Sequence, residues 1–215
     1  AHFSEDPGLC DAFARGEDIH RAVAAQVFGV RLDEVDDTQR SAAKMVNFGI
    51  VYGITASGLA RRLGPGWTVA RAKEIIESYR ARFRGIDAFL DRCVEEAKRT
   101  GHATTITGRW RPIPQISSRN PAERAFGERV AVNTVVQGSA ADLIKLAMVQ
   151  LDAALGARFP RARLLLQIHD ELLVEAPQEE APEVSELLSA TMRGAMHLKV
   201  PLEVSAAVGP RWSDV

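Results

Sequence analysis

Arg40, Lys44, Phe48 and Tyr52 stand at every fourth position in the stretch RSAAKMVNFGIVYG, residues 40–53. On a helix each step of four drifts by about 40°, so these side chains form one slowly winding stripe roughly 18 Å long. Two cations come first on it and two flat rings follow. A ligand with several negative charges at one end and a planar group at the other, such as a nucleoside triphosphate, suits that stripe. Arg offers a fork for phosphate oxygens, Lys a compact point charge, and an aromatic face can stack on a base. The same spacing also describes an ordinary amphipathic helix with rings in the core and cations in solvent, and spacing alone leaves both readings open. Gly49 and Gly53 each cost about 1 kcal/mol relative to Ala inside a helix. Their position beside the rings points to a close approach to the backbone.

A second chemical stretch is LLLQIHDELLVE, residues 164–175. Two apolar runs flank a short polar tip, which predicts a hairpin. Asp170 and Glu171 at that tip are either a solvated turn or a pair of hard oxygen donors for a divalent cation such as Mg²⁺. Between residues 101 and 130 lie Arg109, Arg111, Arg119, Arg124 and Arg129 against Glu123 and Glu128, a local balance of +3 with Trp110 among them. That is a modest signal for a phosphate backbone, and equally a solvated loop and helix face. Asn133 and Gln137 are amides read either as turn and cap residues or as contacts to a ligand. His20, alone on a predicted helix, reads in isolation as a structural or surface residue before a functional one.

These groups need elements to position them. Asp18 or Glu17 predicts the start of a helix over 19–28, stopped by Gly29. Thr68 predicts the N-cap of a helix running to Arg82. Gly85 predicts an interruption, and a further helix ends at Gly101. Residues 104–107 carry strand character, followed by an irregular loop over 109–114. Ser139 with Asp142 resembles a capping box and predicts a helix start there. A helix over 178–196 tolerates Pro182 in its first turns, and the alternation of Leu202, Val204, Ala206 and Val208 predicts a strand. The fold class expected is α+β: a mostly helical part, then a mixed part with a small antiparallel sheet.

Composition narrows the field. The chain has 215 residues with 27 Lys and Arg against 28 Asp and Glu, so any nucleic-acid binding must come from local patches. Cys10 and Cys93 have no metal-ligand spacing and suggest no disulfide framework. No apolar run reaches the roughly 18 residues of a membrane span, so a membrane is not among the expected partners.

Several of these stretches together resemble one family. Arg40-x3-Lys44-x3-Phe48-x3-Tyr52-Gly53 is similar to the fingers-helix motif of the family A DNA polymerases in their bacterial form. QIHDEL is similar to their palm hairpin, and GEDIHRAVAAQVFGV and the C-terminal Gly209–Trp212 are similar to further stretches. The resemblance covers essentially the whole chain, in order. It implies a fingers subdomain over 1–117, with the nucleotide-binding helix at about 39–53. It also implies a palm subdomain over 118–215, with the hairpin at about 163–176. It implies a DNA-directed DNA polymerase in which Arg40, Lys44 and His20 meet the phosphates of a dNTP while Phe48 and Tyr52 pack on base and sugar. Asp170 would ligate Mg²⁺ in a two-metal site, Glu171 would support it, and His169 would position the primer end. Arg109, Arg111, Arg124 and Arg129 would meet the DNA backbone, and Asn133 and Gln137 the minor groove of the primer–template. A cytoplasmic, nucleoid-associated location follows. Trp110 and Val135 depart from the family pattern, which usually has Arg and Pro there.

The family's other metal-binding Asp lies in an Asp-Tyr-Ser-x-x-Glu strand just ahead of an Ala-His-x-Ser stretch, seen here as Ala1–Ser4. The expectation is therefore a partial polymerase domain whose second Asp ligand belongs to an N-terminal part of the same polymerase. By itself it would extend primers negligibly. Two other classes stay in view: a catalytically incompetent DNA- or nucleotide-binding module, and a relative of the single-subunit RNA polymerases, against which Phe48 and Glu171-Leu172 speak.

Overall fold

Short polar residues ahead of apolar runs set most of the helix starts. In the computed structural model, which describes residues 1–214, Asp6 caps α1 (Pro7–Ala14), Asp18 caps α2 (Ile19–Phe28) and Asp36 caps α3 (Asp37–Val51). The α3 cap is reciprocal: Asp36 Oδ1 accepts from the Gln39 N–H at 2.7 Å, and Gln39 Oε1 accepts from the Asp36 N–H at 3.1 Å. Thr55 and Thr68 cap α4 (Ala56–Leu63) and α5 (Val69–Arg82) one way only, each hydroxyl accepting from a backbone N–H three residues on. Such caps are worth about 1 kcal/mol each. Gly29 ends α2 with φ 68°, and Gly101 ends α6 (Arg84–Thr100) with φ 76°.

The chain forms two compact units. The first comprises Ala1–Thr104 with Gly108–Val136, the second Thr105–Thr107 with residues from Gln137 onward. In the first, α2, α3, α4 and α5 bury Val23, Val46, Ile50, Leu59 and Phe83 almost completely. Each such side chain contributes about 1.5–3 kcal/mol through burial. Asp6 is buried too, yet satisfied: one carboxylate oxygen caps α1 and the other accepts from the Gly85 N–H at 2.8 Å.

That contact corrects the reading of Gly85. The chain breaks at Phe83, where φ is −119° and ψ 63°, and Gly85 lies inside α6. A Cβ there would sit 2.8 Å from Asp6 Cβ and 2.9 Å from the Ser4 carbonyl oxygen, so glycine is required by close packing rather than by a turn. The loop expected over 109–114 is also more ordered than read. β1 (His102–Thr104) pairs antiparallel with β2 (Trp110–Pro112), and a 3₁₀ turn follows at Pro114–Ser117. A hairpin this short carries too little alternation to be seen in sequence.

The largest correction concerns α7. It runs unbroken from Pro121 to Arg158, so no helix starts at Ser139. Ser139 and Asp142 lie in its middle and serve a neighbouring segment instead. Ser139 Oγ accepts from the Ile106 N–H at 2.8 Å, and Asp142 Oδ2 accepts from the Thr107 hydroxyl at 2.6 Å. The cap-like pattern satisfies backbone and hydroxyl groups more than thirty residues away.

In the second unit, β3 (Arg163–Ile168) and β4 (Glu171–Glu175) form the expected antiparallel hairpin, with a register irregularity between Leu164 and Leu166. α8 (Ala181–Gly194) packs with α7 around Leu151, Leu155, Phe159 and Val184, and Pro182 occupies its first turn as expected. Residues 201–209 form no strand, because no described segment pairs with them. The fold class is α+β, as expected.

Candidate nucleotide ridge and acidic hairpin

α3 carries the four-spaced stripe into the structure. Phe48 is 48% exposed, although a ring this size is normally covered. Its ring and that of Tyr52 are nearly parallel, 16° apart with centroids at 6.5 Å, and Lys44 Nζ lies 5.9 Å from the Phe48 centroid. The reading of rings in a core and cations in solvent therefore fails: cation and rings share one accessible surface. Tyr52 is the last member and stands just past the helix, as its C-cap residue.

Neighbours on α2 hold two groups of this ridge. Asp18 uses one carboxylate oxygen to cap α2 and the other to accept from Arg40 Nε at 2.5 Å. Burial alone would raise the Asp18 pKa, but the Arg40 hydrogen bond and the backbone N–H groups of Arg21 and His20 outweigh it and hold the carboxyl below its usual range. His20 Nδ1 lies 2.7 Å from the side-chain nitrogen of Asn47, and its ring centroid lies 5.9 Å from that of Phe48. Burial pushes the His20 pKa down. Arg40 and Lys44 add to that effect and Asp18 opposes it.

The two glycines beside the rings have internal explanations. A Cβ on Gly49 would lie 3.0 Å from Ile54 Cγ2, so the close approach comes from this chain's own Ile54. Gly53 has φ 76°, which a side chain tolerates poorly.

Past the end of α3, Phe48, Tyr52 and Gly53 join Arg61 and Arg62 of α4 and Arg129 of α7 around an open groove of about 640 Å³. Arg129 is thus brought to the ridge from a distant part of the first unit. Arg61 and Arg62 escaped the sequence reading, and their only signal was an adjacent Arg pair in the last turn of a short helix. The remaining arginines are not gathered with them in the same way. Arg111 is exposed on β2 and Arg109 in the turn before it, next to Trp110, which is 63% exposed. Arg124 donates to the Ser118 carbonyl at 3.4 Å. It is five residues from Arg129, which on a helix turns the two about 140° apart.

Asn133 and Gln137 are one turn apart within α7, neither at a cap. Asn133 Oδ1 is buried and pairs with no described residue, while Gln137 is exposed. An amide oxygen left in that state is unfavourable unless a ligand or water completes it.

In the second unit, His169 and Asp170 form the hairpin turn and Glu171 opens β4. His169 has φ 54°, a left-handed conformation costing about 1–2 kcal/mol for a residue with a Cβ. Gln167 Nε2 donates to the His169 carbonyl at 2.6 Å and helps hold that shape. Asp170 and Glu171 are exposed, and no described Lys or Arg forms an ion pair with either. Carboxylates in that condition suit a hard cation, although among the described residues no group of three His, Cys, Asp or Glu side chains converges here. The turn borders a groove of about 400 Å³ also lined by Leu188, Met192 and Trp212.

The model of the family described as DNA polymerase family A matches residues 1–214. DNA polymerase I of Geobacillus stearothermophilus is 48% identical over 214 residues, and that of Deinococcus radiodurans 46% over 214. All of this chain is covered in both comparisons, but only 24% and 22% of those relatives, so the chain spans about a quarter of their length. Among solved structures, the polymerase domain of Pol1 from M. smegmatis, in complex with DNA primer–template and dNTP, superposes with a TM-score of 0.90 at 42% identity. It covers 95% of this chain and 36% of that one. No described helix is long and apolar enough to cross a membrane.

Proposed function

The chain belongs to DNA polymerase family A, and from that premise we propose that it is the fingers and palm portion of a DNA-directed DNA polymerase of replication and repair. In this reading the fingers part spans 1–117 and the palm part 118–215, a division just ahead of α7, whereas the compact units divide within α7 after Val136. The observation that carries the reading is the ridge. An exposed ring pair with Lys44 beside it, and an Arg40 already oriented by Asp18, is prepared for a base joined to phosphates. A Pol1 domain of very similar fold, described with primer–template and dNTP, supports the same substrates here.

In this reading Arg40 and Lys44 neutralise the triphosphate, His20 donates to it, and Phe48 and Tyr52 stack on base and sugar. Arg109, Arg111, Arg124 and Arg129 meet DNA phosphates. Asn133 and Gln137 meet minor-groove acceptors, which are alike among base pairs and so report pair shape rather than sequence. His169 positions the primer end. Asp170, supported by Glu171, is the carboxylate this chain offers to Mg²⁺. When bound, such ions lower the charge barrier at the attacking and leaving oxygens. The primer 3′-hydroxyl gives its proton to solvent as its oxygen bonds to the α-phosphorus, while the bond from that phosphorus to the bridging oxygen breaks and pyrophosphate leaves. The chain's own contribution is positioning and charge. Because two carboxylates are few for two ions, we expect this polypeptide by itself to bind dNTP and DNA and to extend primers negligibly, with the remaining ligand supplied by another part of the polymerase. The work belongs in the cytoplasm, at the nucleoid.

A dNTP titration of the chain followed by amide NMR tests the ridge. Shifts concentrated at residues 40–53 and lost in Lys44→Ala support it, and shifts confined to other surfaces overturn it.

A further inference from the structure

Asn47 lies outside the four-spaced stripe, one residue before Phe48, and is only 5% exposed. Its side-chain nitrogen lies 2.7 Å from His20 Nδ1, across 27 residues of sequence. A carboxamide nitrogen can only donate, so Nδ1 must offer a lone pair. A neutral imidazole whose Nδ1 is unprotonated carries its hydrogen on Nε2. We propose that Asn47 is a positioning residue for His20, locking the ring as the Nε2–H tautomer so that it presents a neutral N–H donor to a phosphate oxygen of the incoming nucleotide. This rests on the nucleotide-ridge reading and adds to it a residue and a protonation state.

Three further observations support it. Asn47 Oδ1 is buried and pairs with no described residue. The contact to His20 is therefore the one described hydrogen bond of the Asn47 side chain. The ring is placed on the ridge, 5.9 Å from Phe48, whose centroid is in turn 5.9 Å from Lys44 Nζ. The charged groups around it favour the neutral ring on balance. Arg40 and Lys44 of α3 oppose a second proton, as does burial, while Asp18 at the head of α2 favours one.

Division of labour follows. Arg40 and Lys44 supply charge. A neutral N–H held by Asn47 supplies direction, and needs no proton uptake when the triphosphate arrives. A ring free to exchange tautomers would present a lone pair to phosphate part of the time, which repels rather than binds.

The test uses the 215-residue chain with ¹⁵N-labelled histidine, His20 being assigned by its loss in His20→Gln. Near neutral pH the expected result is an unprotonated Nδ1 with the hydrogen on Nε2, and a mixture of tautomers in Asn47→Leu. In dNTP titrations Asn47→Leu should weaken binding about tenfold, the scale of one hydrogen bond to a charged group. Asn47→Asp keeps the side-chain size but draws a proton onto Nδ1. It should make the ring a cation and dNTP affinity newly dependent on pH. In the His20→Gln background, where Gln brings its own N–H₂, Asn47→Leu should have no further effect, which separates positioning from misfolding. A proton on Nδ1 of the wild-type ring, or wild-type dNTP affinity in Asn47→Leu, overturns the proposal. If the wild-type chain shows the Nε2–H tautomer but binds no dNTP, the ridge reading itself fails, and the phosphate role of His20 falls with it.

Discussion

The ridge on α3 and the tip of the β3–β4 hairpin solve opposite problems by different means. The ridge must keep cations and rings apart from a core that would cover them, and it does so with side chains from a second helix: Asp18 holds Arg40, and Asn47 meets His20. The tip leaves Asp170 and Glu171 exposed. Its turn is shaped by backbone, through a left-handed His169 and a carbonyl tied to Gln167. A site for an anion can be assembled from packed helices whose stability exceeds the strain of the site. The carboxylates proposed for a metal ion are instead left exposed beside a turn that stores some strain. Damage to packing should therefore affect the first region and hardly touch the second.

The largest expected effect tests that claim at its root. Phe83 is 1% exposed in the core beneath α2–α5, and Phe83→Ala should destabilise the chain by about 3–5 kcal/mol, read from the denaturant midpoint. A change under about 1 kcal/mol would mean that this core does not support the ridge. Next come Arg40→Ala and Lys44→Ala. Each should weaken dNTP binding by about 1.5–3 kcal/mol, whereas Asp170→Asn should leave metal-free dNTP binding unchanged and abolish Mn²⁺-induced line broadening at the hairpin. If Asp170→Asn weakened metal-free nucleotide binding as much as Lys44→Ala does, the two regions would not be separable in function.

Smaller effects sharpen the contrast. Asp18→Asn should cost about 1 kcal/mol at neutral pH through a weakened cap and the lost partner of Arg40. The Asp18 pKa is lowered on folding, so its contribution is present above the ordinary value of 3.8 and disappears as pH falls through the lower folded value. The wild-type and Asp18→Asn chains should therefore converge in stability in acid, which thermal melts across pH would register. His20 has a lowered pKa as well, so its neutral, folded form is favoured above 6.5 and that share of stability is lost as pH drops toward the folded value. Smallest of all, His169→Gly should leave stability unchanged or raise it by less than about 1 kcal/mol, because relief of the left-handed strain is partly offset by the freer unfolded glycine. A clear loss of stability there would show that the turn is held by packing, like the ridge, and would erase the distinction.

The legible parts of this molecule share a physical cause. Caps at Asp18 and Thr68 are contacts over two or three residues, and the ring-and-cation stripe is a period of four, so both are complete within a short window of sequence. The hairpin around Asp170 is local too, with partners a few residues either side of the turn. What misled was local pattern serving a distant need. Ser139 and Asp142 have the spacing of a cap, yet their partners are Ile106 and Thr107, and the helix they were expected to start passes straight through them. Gly85 has the composition of a break, yet what it accommodates is Asp6, 79 positions earlier. The alternation at Leu202–Val208 is real, but a strand needs a ladder and no described segment provides one.

The candidate sites divide the same way. Residue types and spacing along the chain determined that cations and rings would share a helix face and that two acids would sit at the tip of a hairpin. Only tertiary packing decided that Arg129 reaches the end of α3 beside Arg61 and Arg62, that Asp18 orients Arg40, and that Asn47 meets His20. Those partners lie more than twenty residues apart in the chain, and nothing in a short window encodes them. The last two exist because burying the apolar faces of α2 and α3 against each other leaves their polar edges in register.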